Sequence, residues 1–198
     1  MKNNKKVFIL LSAIALCLIV LFIVQIYAKY LSTAKGDTKI SIATWNILVN
    51  NLSIKDNTDI SSSIVPVFPG NEHISSNIIA PTSEGYFDLN LDFTNTNVSF
   101  KYEITTSVDE QSPVKDLVAT GYSIDDGEKI NFPNYTDTNI AENIILNSGI
   151  KKRNIRIYIL WNDDSTTSQM SNEEDTLSTT LNTPAIFHVN VQFTQITE

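Results

Sequence analysis

The spacing of apolar positions along this chain changes character once. From Val7 to Val24 they run almost without a break, and from Lys29 onward they alternate with polar ones. The first pattern predicts a helix that is apolar all round and, at about 20 residues, long enough to cross a bilayer. The second predicts strands with one buried and one solvated face. Ile40 and Ile42 alternate with polar neighbours, and Trp45, Ile47 and Val49 continue on the opposite parity. A bulge or bend is therefore predicted near Ala43-Thr44, and a turn at Asn50-Asn51. Residues 55–77 are polar, with Ile64, Val65, Val67 and Phe68 as short edge strands.

The clearest alternation is Tyr86 to Thr94, with Phe87, Leu89, Leu91 and Phe93 on one face. Val98, Phe100, Tyr102, Ile104 and Thr106 answer it across Asn95-Thr96-Asn97, which predicts a hairpin. A second hairpin is predicted over Val118–Phe132 with Asp126-Gly127 at its tip, because Asp-Gly readily takes positive φ. Ile155, Ile157, Ile159 and Trp161 form a near-continuous apolar strand that belongs at the centre of a sheet. The last strand turns Phe187, Val189, Val191 and Phe193 inward and His188, Asn190 and Gln192 outward. Glu142–Asn147 fits a helical turn or a strand, and residues 162–184 read as a long polar loop. About eight short strands, with no amphipathic helix after residue 29, indicate an all-β, antiparallel β-sandwich. The expected organisation is a leader or anchor over residues 1–28 and one β domain over 29–198.

Lys2, Lys5 and Lys6 ahead of the apolar run, with small residues beyond it, have the layout of an export signal. The lysine head stays on the cytoplasmic side, so the β domain is expected outside the cell. Cleavage is expected between Ala28 and Lys29, or between Ala34 and Lys35, where Ser32-Thr33-Ala34 fits the small-x-small rule; an uncleaved anchor is the competing reading. Cys17 follows Leu16 and precedes more apolar residues, which does not fit a lipidation site. It is the only cysteine, so the β domain forms no disulfide and packing must hold it together. The chain carries 14 basic and 22 acidic side chains; without the three leader lysines this becomes 11 against 22, a net −11. Such an excess disfavours nucleic acid and anionic membrane surfaces, leaving the N-terminal helix as the sole membrane element expected.

Constellations that would carry catalysis are scarce. His188 falls on the solvated parity of its strand, and His73 follows Glu72 in a polar loop without a zinc-binding spacing. There is no Gly-x-Ser-x-Gly elbow. Asp125-Asp126-Gly127-Glu128 reads as a solvated turn. Asp163, Asp164 and Asp175 in the long loop are the candidates for a Ca²⁺ site, although the alternating Asp-x-Asp-x-Asp spacing is missing. Trp45 and Trp161 lie at core parity and read as packing anchors. No enzyme activity, catalytic residue or organic cofactor is expected. The functional element of most interest is an exposed strand edge, since unpaired backbone groups are a template for another chain. The segment Tyr30–Ile42 follows the leader and becomes strand-like, with Ile40 and Ile42 as its apolar anchors.

Several short motifs together resemble the TasA/camelysin group of exported Gram-positive proteins. They are Ala43-x-Trp45 leading to Val49-Asn50, Pro81 leading to Gly85-x-Phe87, Val98 with Tyr102, the strand ending in Trp161, Asp175-Thr176 in the acidic loop, and Gln195 in the closing strand. The similarity is greatest to clostridial biofilm-matrix proteins released by a SipW-type signal peptidase. The resemblance implies a jelly-roll-like sandwich that self-associates into extracellular fibres by donating its N-terminal strand to the next subunit. Thr82 after Pro81 and Ile159 depart from the family pattern. Camelysin is described as a metalloprotease, but no zinc motif carries that activity onto residues here.

Overall fold

The computed structural model describes residues 2–30, 38, 40–181 and 183–197, and divides into two compact units, Met1–Ser41 and Ile42–Glu198. In the first unit, α1 spans Lys2–Tyr30. Its stretch Asn4–Phe22 is apolar and 19 residues long, or about 28 Å at 1.5 Å per residue. That is long and apolar enough to serve as a signal or as a membrane anchor. The predicted cleavage pair Ala28 and Lys29 falls within this helix, whereas Ala34 and Lys35 lie outside the described residues.

The second unit is mostly β and contains two antiparallel sheets. In chain order the strands are β1 (Leu48–Val49), β2 (Leu52–Ser53), β3 (Glu84–Asp92), β4 (Phe100–Val108), β5 (Leu117–Ile124), β6 (Ile130–Asn131), β7 (Ile140–Ile144), β8 (Lys152–Trp161) and β9 (Phe187–Gln195). The large sheet has the order β2-β1-β3-β8-β5-β6, and the small one β7-β4-β9. The inward residues expected from alternation are the ones that fill the shared core: Phe87, Leu89, Leu91 and Phe93 from β3 and the residue following it, Ile155, Ile157 and Ile159 from β8, and Phe100, Tyr102 and Ile104 from β4. As its composition predicts, β8 is central, flanked by β3 and β5.

The predicted hairpin over residues 86–106 is not formed. β3 pairs with β1 and β8, while β4 pairs with β7 and β9. The chain instead crosses between sheets at Asn95–Asn97, and the apolar faces of both strands are buried in one shared core. Phe93 and Phe100 meet edge to face at 5.2 Å across that crossing, a favoured aromatic geometry. The crossing is pinned from outside. The Thr96 hydroxyl donates to the Asn46 carbonyl (2.7 Å) and accepts from the Asn46 N–H (3.2 Å), and the Asn97 N–H donates to the Thr44 carbonyl. Those bonds occupy the backbone near the predicted bend at Ala43-Thr44, so only Leu48–Val49 of the expected strand joins a sheet.

Other expectations change in detail. Asn50 and Asn51 form the predicted turn, both at positive φ (47° and 68°), as a two-residue hairpin requires. At the tip of the β5–β6 hairpin the positive φ angles fall on Asp125 and Asp126 rather than on Gly127. Glu142–Asn147 divides between β7 and a short 3₁₀ turn, Leu146–Ser148. Of the predicted edge strands in residues 64–68, only a single bridge from Val67 to Tyr86 forms. The acidic loop contains a helix that alternation missed, α2 (Asn172–Thr180), started by a reciprocal capping box between Ser171 and Glu174.

The two sheets are clasped along the β7 flank. Arg153 on β8 makes a two-pronged contact with Glu142 on β7 (2.9 and 2.6 Å) and reaches Asp125 (2.6 Å), while the Tyr102 hydroxyl donates to Glu142 (2.8 Å). Arg153 holds the Glu142 carboxyl below its ordinary range. Lys152, with Thr94, similarly draws Asp92 down to about 2. A carboxylate depressed in the folded state stabilises the fold above its unfolded pKa, and the benefit disappears as pH falls through its folded pKa. The thermal midpoint should therefore fall between roughly pH 4.5 and pH 2. Glu142→Gln should cost about 1–3 kcal/mol at pH 7 and flatten that acid limb, as read by melting curves at each pH.

Candidate functional site

A three-stranded sheet cannot cover a six-stranded one, and the shortfall lies along β9. This strand ends the small sheet, with β4 on one side and, among the described residues, no strand on the other. Phe187, Val189, Val191 and Phe193 point toward the core, as predicted, yet remain only half-buried. Phe187 contacts Phe87 and Phe193 contacts Phe100, at 6.5 and 6.0 Å between ring centres, so the strand is anchored by its two ends.

Between β9 and the segment 54–68 run two grooves that share Thr58, Ile60 and Val189. One, of about 640 Å³, is bordered by Trp45, Ile54, Ile60, Val191 and Phe193. The other, of about 550 Å³, continues past Ile64, Phe68, Leu117, Ile159 and Phe187. Together they follow β9 for its length. The lining is mixed: beside these apolar residues stand Lys55, Asp56 and Asn57 in the first groove and Asp59 and His188 in the second. Hydrogen bonding to Ser61 holds the Asp59 carboxyl below its usual range. Asp109 is lowered by the Gln111 amide and by His188, whose ring nitrogen lies 2.7 Å from it. Phe68 keeps its place in the groove wall because Gly85 has no side chain; a Cβ there would collide with the Phe68 ring.

The backbone of β9 is equally one-sided. The Asp109 N–H donates to the Ile186 carbonyl, and the Ile196 N–H to the Ser99 carbonyl, which brackets the ladder. With Ser107 opposite His188 and Lys101 opposite Thr194, the even-numbered residues of β9 exchange hydrogen bonds with β4. The odd-numbered residues direct their N–H and C=O groups to the open side, as antiparallel pairing requires. Phe187, Val189, Val191 and Phe193 thus combine an inward side chain with unpaired main-chain groups. An incoming extended segment would find both a ladder partner and apolar sockets.

The sequence-predicted residues distribute as follows. Ile40 and Ile42 are 82% and 90% exposed. Trp161 is buried as expected, but Trp45 is 42% exposed and leans edge-on against Phe100; it follows the pinned segment rather than a strand and so lies at the groove mouth. Asp163, Asp164 and Asp175 do not form a three-carboxylate centre. The Asp164 carboxylate accepts from the N–H and hydroxyl of Thr166, and among the described residues no three His, Cys, Asp or Glu side chains converge as metal ligands. His73 pairs with the neighbouring Glu72, and both are exposed. The acceptor edge was missed because alternation identifies the inward face of β9 but not its neighbours.

Compared with protein-family models and with curated proteins, the chain matches none.

Hydrogen exchange should show the alternation of β9 directly. The Val189, Val191 and Phe193 amides should exchange at least tenfold faster than those of Asn190 and Gln192. Uniform protection along the strand would show that its open side is covered.

Proposed function

We propose that this chain is an exported structural subunit of a cell-surface or biofilm-matrix fibre, of the TasA/camelysin type. In this reading the two antiparallel sheets are the layers of a jelly-roll-like β-sandwich; the alternation of β3, β4, β5, β7, β8 and β9 between the large and small sheets supports a sandwich. Subunits join when the N-terminal segment of one adds as a strand to β9 of the next. The observation that carries this reading is the open β9 edge beside grooves that contain Ile54, Ile60, Val191 and Phe193.

Ile40 and Ile42 suit the donor role because residues two apart on an extended strand share a face at about 6.6 Å spacing. That is also the spacing of the inward residues of β9. Burying both isoleucines contributes about 3–6 kcal/mol, and main-chain bonds to the odd-numbered residues of β9 add direction and register. Release of the donor requires removal of α1 by a SipW-type signal peptidase, after Ala28 or after Ala34. The second reading, a membrane-tethered ectodomain that acts as a surface binding module, draws on the length and apolar character of α1. The N-terminal residue of protein from washed cells and medium separates the two: a new terminus at Lys29 or Lys35 supports the fibre, and an intact leader in membranes supports the tether.

Two variants test the assembly step. Ile40→Asp combined with Ile42→Asp should abolish polymer seen by electron microscopy and sedimentation, with the monomer's melting temperature unchanged. Val191→Pro removes an N–H from the open side of β9 and none from the β4 ladder, so it should block addition at an edge that tolerates proline. Fibres that persist in both variants would overturn the proposal.

A further inference from the structure

The segment that precedes the β unit is tied to one end of β9 by a very short leash. The Thr44 N–H donates to the Asn97 side-chain oxygen, and the Thr44 carbonyl accepts from the Asn97 N–H. Trp45 follows, its ring 5.9 Å from that of Phe100, and Phe100 in turn meets Phe193 at 6.0 Å. The chain therefore enters the two-sheet unit at the Phe193 end of β9. Only Ala43 separates Thr44 from Ile42, so their Cα atoms lie within about 7 Å of each other. Wherever Ile42 settles on a neighbouring copy, the Phe193 end of its own subunit has to follow.

The two ends of β9 differ in charge. At the Phe193 end, the exposed Lys151 and Lys152 stand at the start of β8; the Lys151 carbonyl accepts from the Phe93 N–H, and Lys152 pairs with Asp92 at 2.8 Å. At the other end, Phe187 packs with Val114, Leu117 and Trp161, and the Trp161 indole donates to Asp175 of α2. From Ile157 to Glu198 the sequence contains Asp163, Asp164, Glu173, Glu174 and Asp175 but no Lys or Arg. The grooves divide along the same line. Trp45, Val191 and Phe193 border the first, whereas Phe187, Leu117 and Ile159 border the second, and Val189 belongs to both.

We propose that the donor strand runs antiparallel to β9 of a second copy, with Ile42 opposite Phe187 and Ile40 opposite Val189, so that the Phe193 end of each subunit meets the Phe187 end of the next. This rests on strand addition to β9 and specifies its direction. A parallel donor would bring Ile42 beside Phe193, and the leash would then draw the Phe193 ends of both subunits together. Each β9 would be reached by the other subunit's donor, a two-fold exchange that closes at a dimer. That arrangement also sets Lys151 and Lys152 of the two copies near one another. The antiparallel donor instead repeats one heterologous contact without closure, which is the condition for a filament. It carries those lysines toward the acidic end, where opposite charge favours encounter. Residues two apart on an extended strand share a face, so this register turns both isoleucines into the second groove.

Disulfide cross-linking reads the direction. The only native cysteine is Cys17, so cysteine pairs are placed in a Cys17→Ser background, in the chain expressed with its leader and collected from washed cells and medium. Opposed residues that exchange hydrogen bonds in an antiparallel ladder lie about 5.5 Å apart at Cα, within disulfide reach. Ile42→Cys with Phe187→Cys, and separately Ile40→Cys with Val189→Cys, should give a ladder of covalent multimers on non-reducing gels after mild oxidation. Their yield should exceed at least tenfold that of Ile42→Cys with Phe193→Cys or Ile40→Cys with Val191→Cys. The pair at Ile40 and Val189 keeps the test decisive if loss of the Phe187 ring weakens the fold. Preferential cross-linking at Phe193 and Val191, stopping at a dimer, would overturn the antiparallel direction while leaving strand addition to β9 in place. Multimers from none of the four pairs would overturn both the direction and the fibre reading beneath it.

Discussion

The mismatch between a six-stranded and a three-stranded sheet governs this molecule. Apolar residues of the large sheet require cover, and the small sheet supplies it only as far as β9. On the β7 flank the deficit is closed by Arg153, Glu142, Tyr102 and Asp125, a charged clasp that joins the sheets and satisfies its own polar groups. Along β9 no such clasp joins the sheets among the described residues. The two sides of the same core therefore differ, one laced shut and the other left as a groove.

Alternation made the inward faces legible. Phe87, Leu89, Ile157, Phe100 and Ile104 are buried where period two places them, and Asn50-Asn51 forms the turn its composition implies. Pairing was not legible, because a strand with one apolar face is equally content beside a neighbour or across the core from it. The crossing at Asn95–Asn97 was decided by contacts from Thr44 and Asn46, some fifty residues upstream. The helix α2 carried a readable signal, Ser171 three residues ahead of Glu174, but no apolar stripe. Its tertiary ties run through Asp175 to Trp161 and Ser178 to the Pro113 carbonyl, and hydrophobic periodicity does not register contacts of that kind.

The candidate site was half visible. Ile40 and Ile42 stood out as apolar residues in a polar stretch, and they are exposed. The receiving edge depends on which residues of β9 lack a ladder partner, and that follows from the register with β4 rather than from any residue type. Trp45 illustrates the same point. Its parity with Ile47 and Val49 suggested burial, yet the sheet begins only at Leu48 and leaves the indole at the rim.

The crossing between sheets also sets a timetable. β3 and β4 do not pair with each other, and the longest ladder of each reaches far along the chain: Asp88 meets Arg156 across 68 residues, and Asp109 meets His188 across 79. Loops of that length must close before any ladder repays them, which makes folding slow. The two longest ladders, β3 with β8 and β4 with β9, can therefore be completed only once the last quarter of the chain is in place.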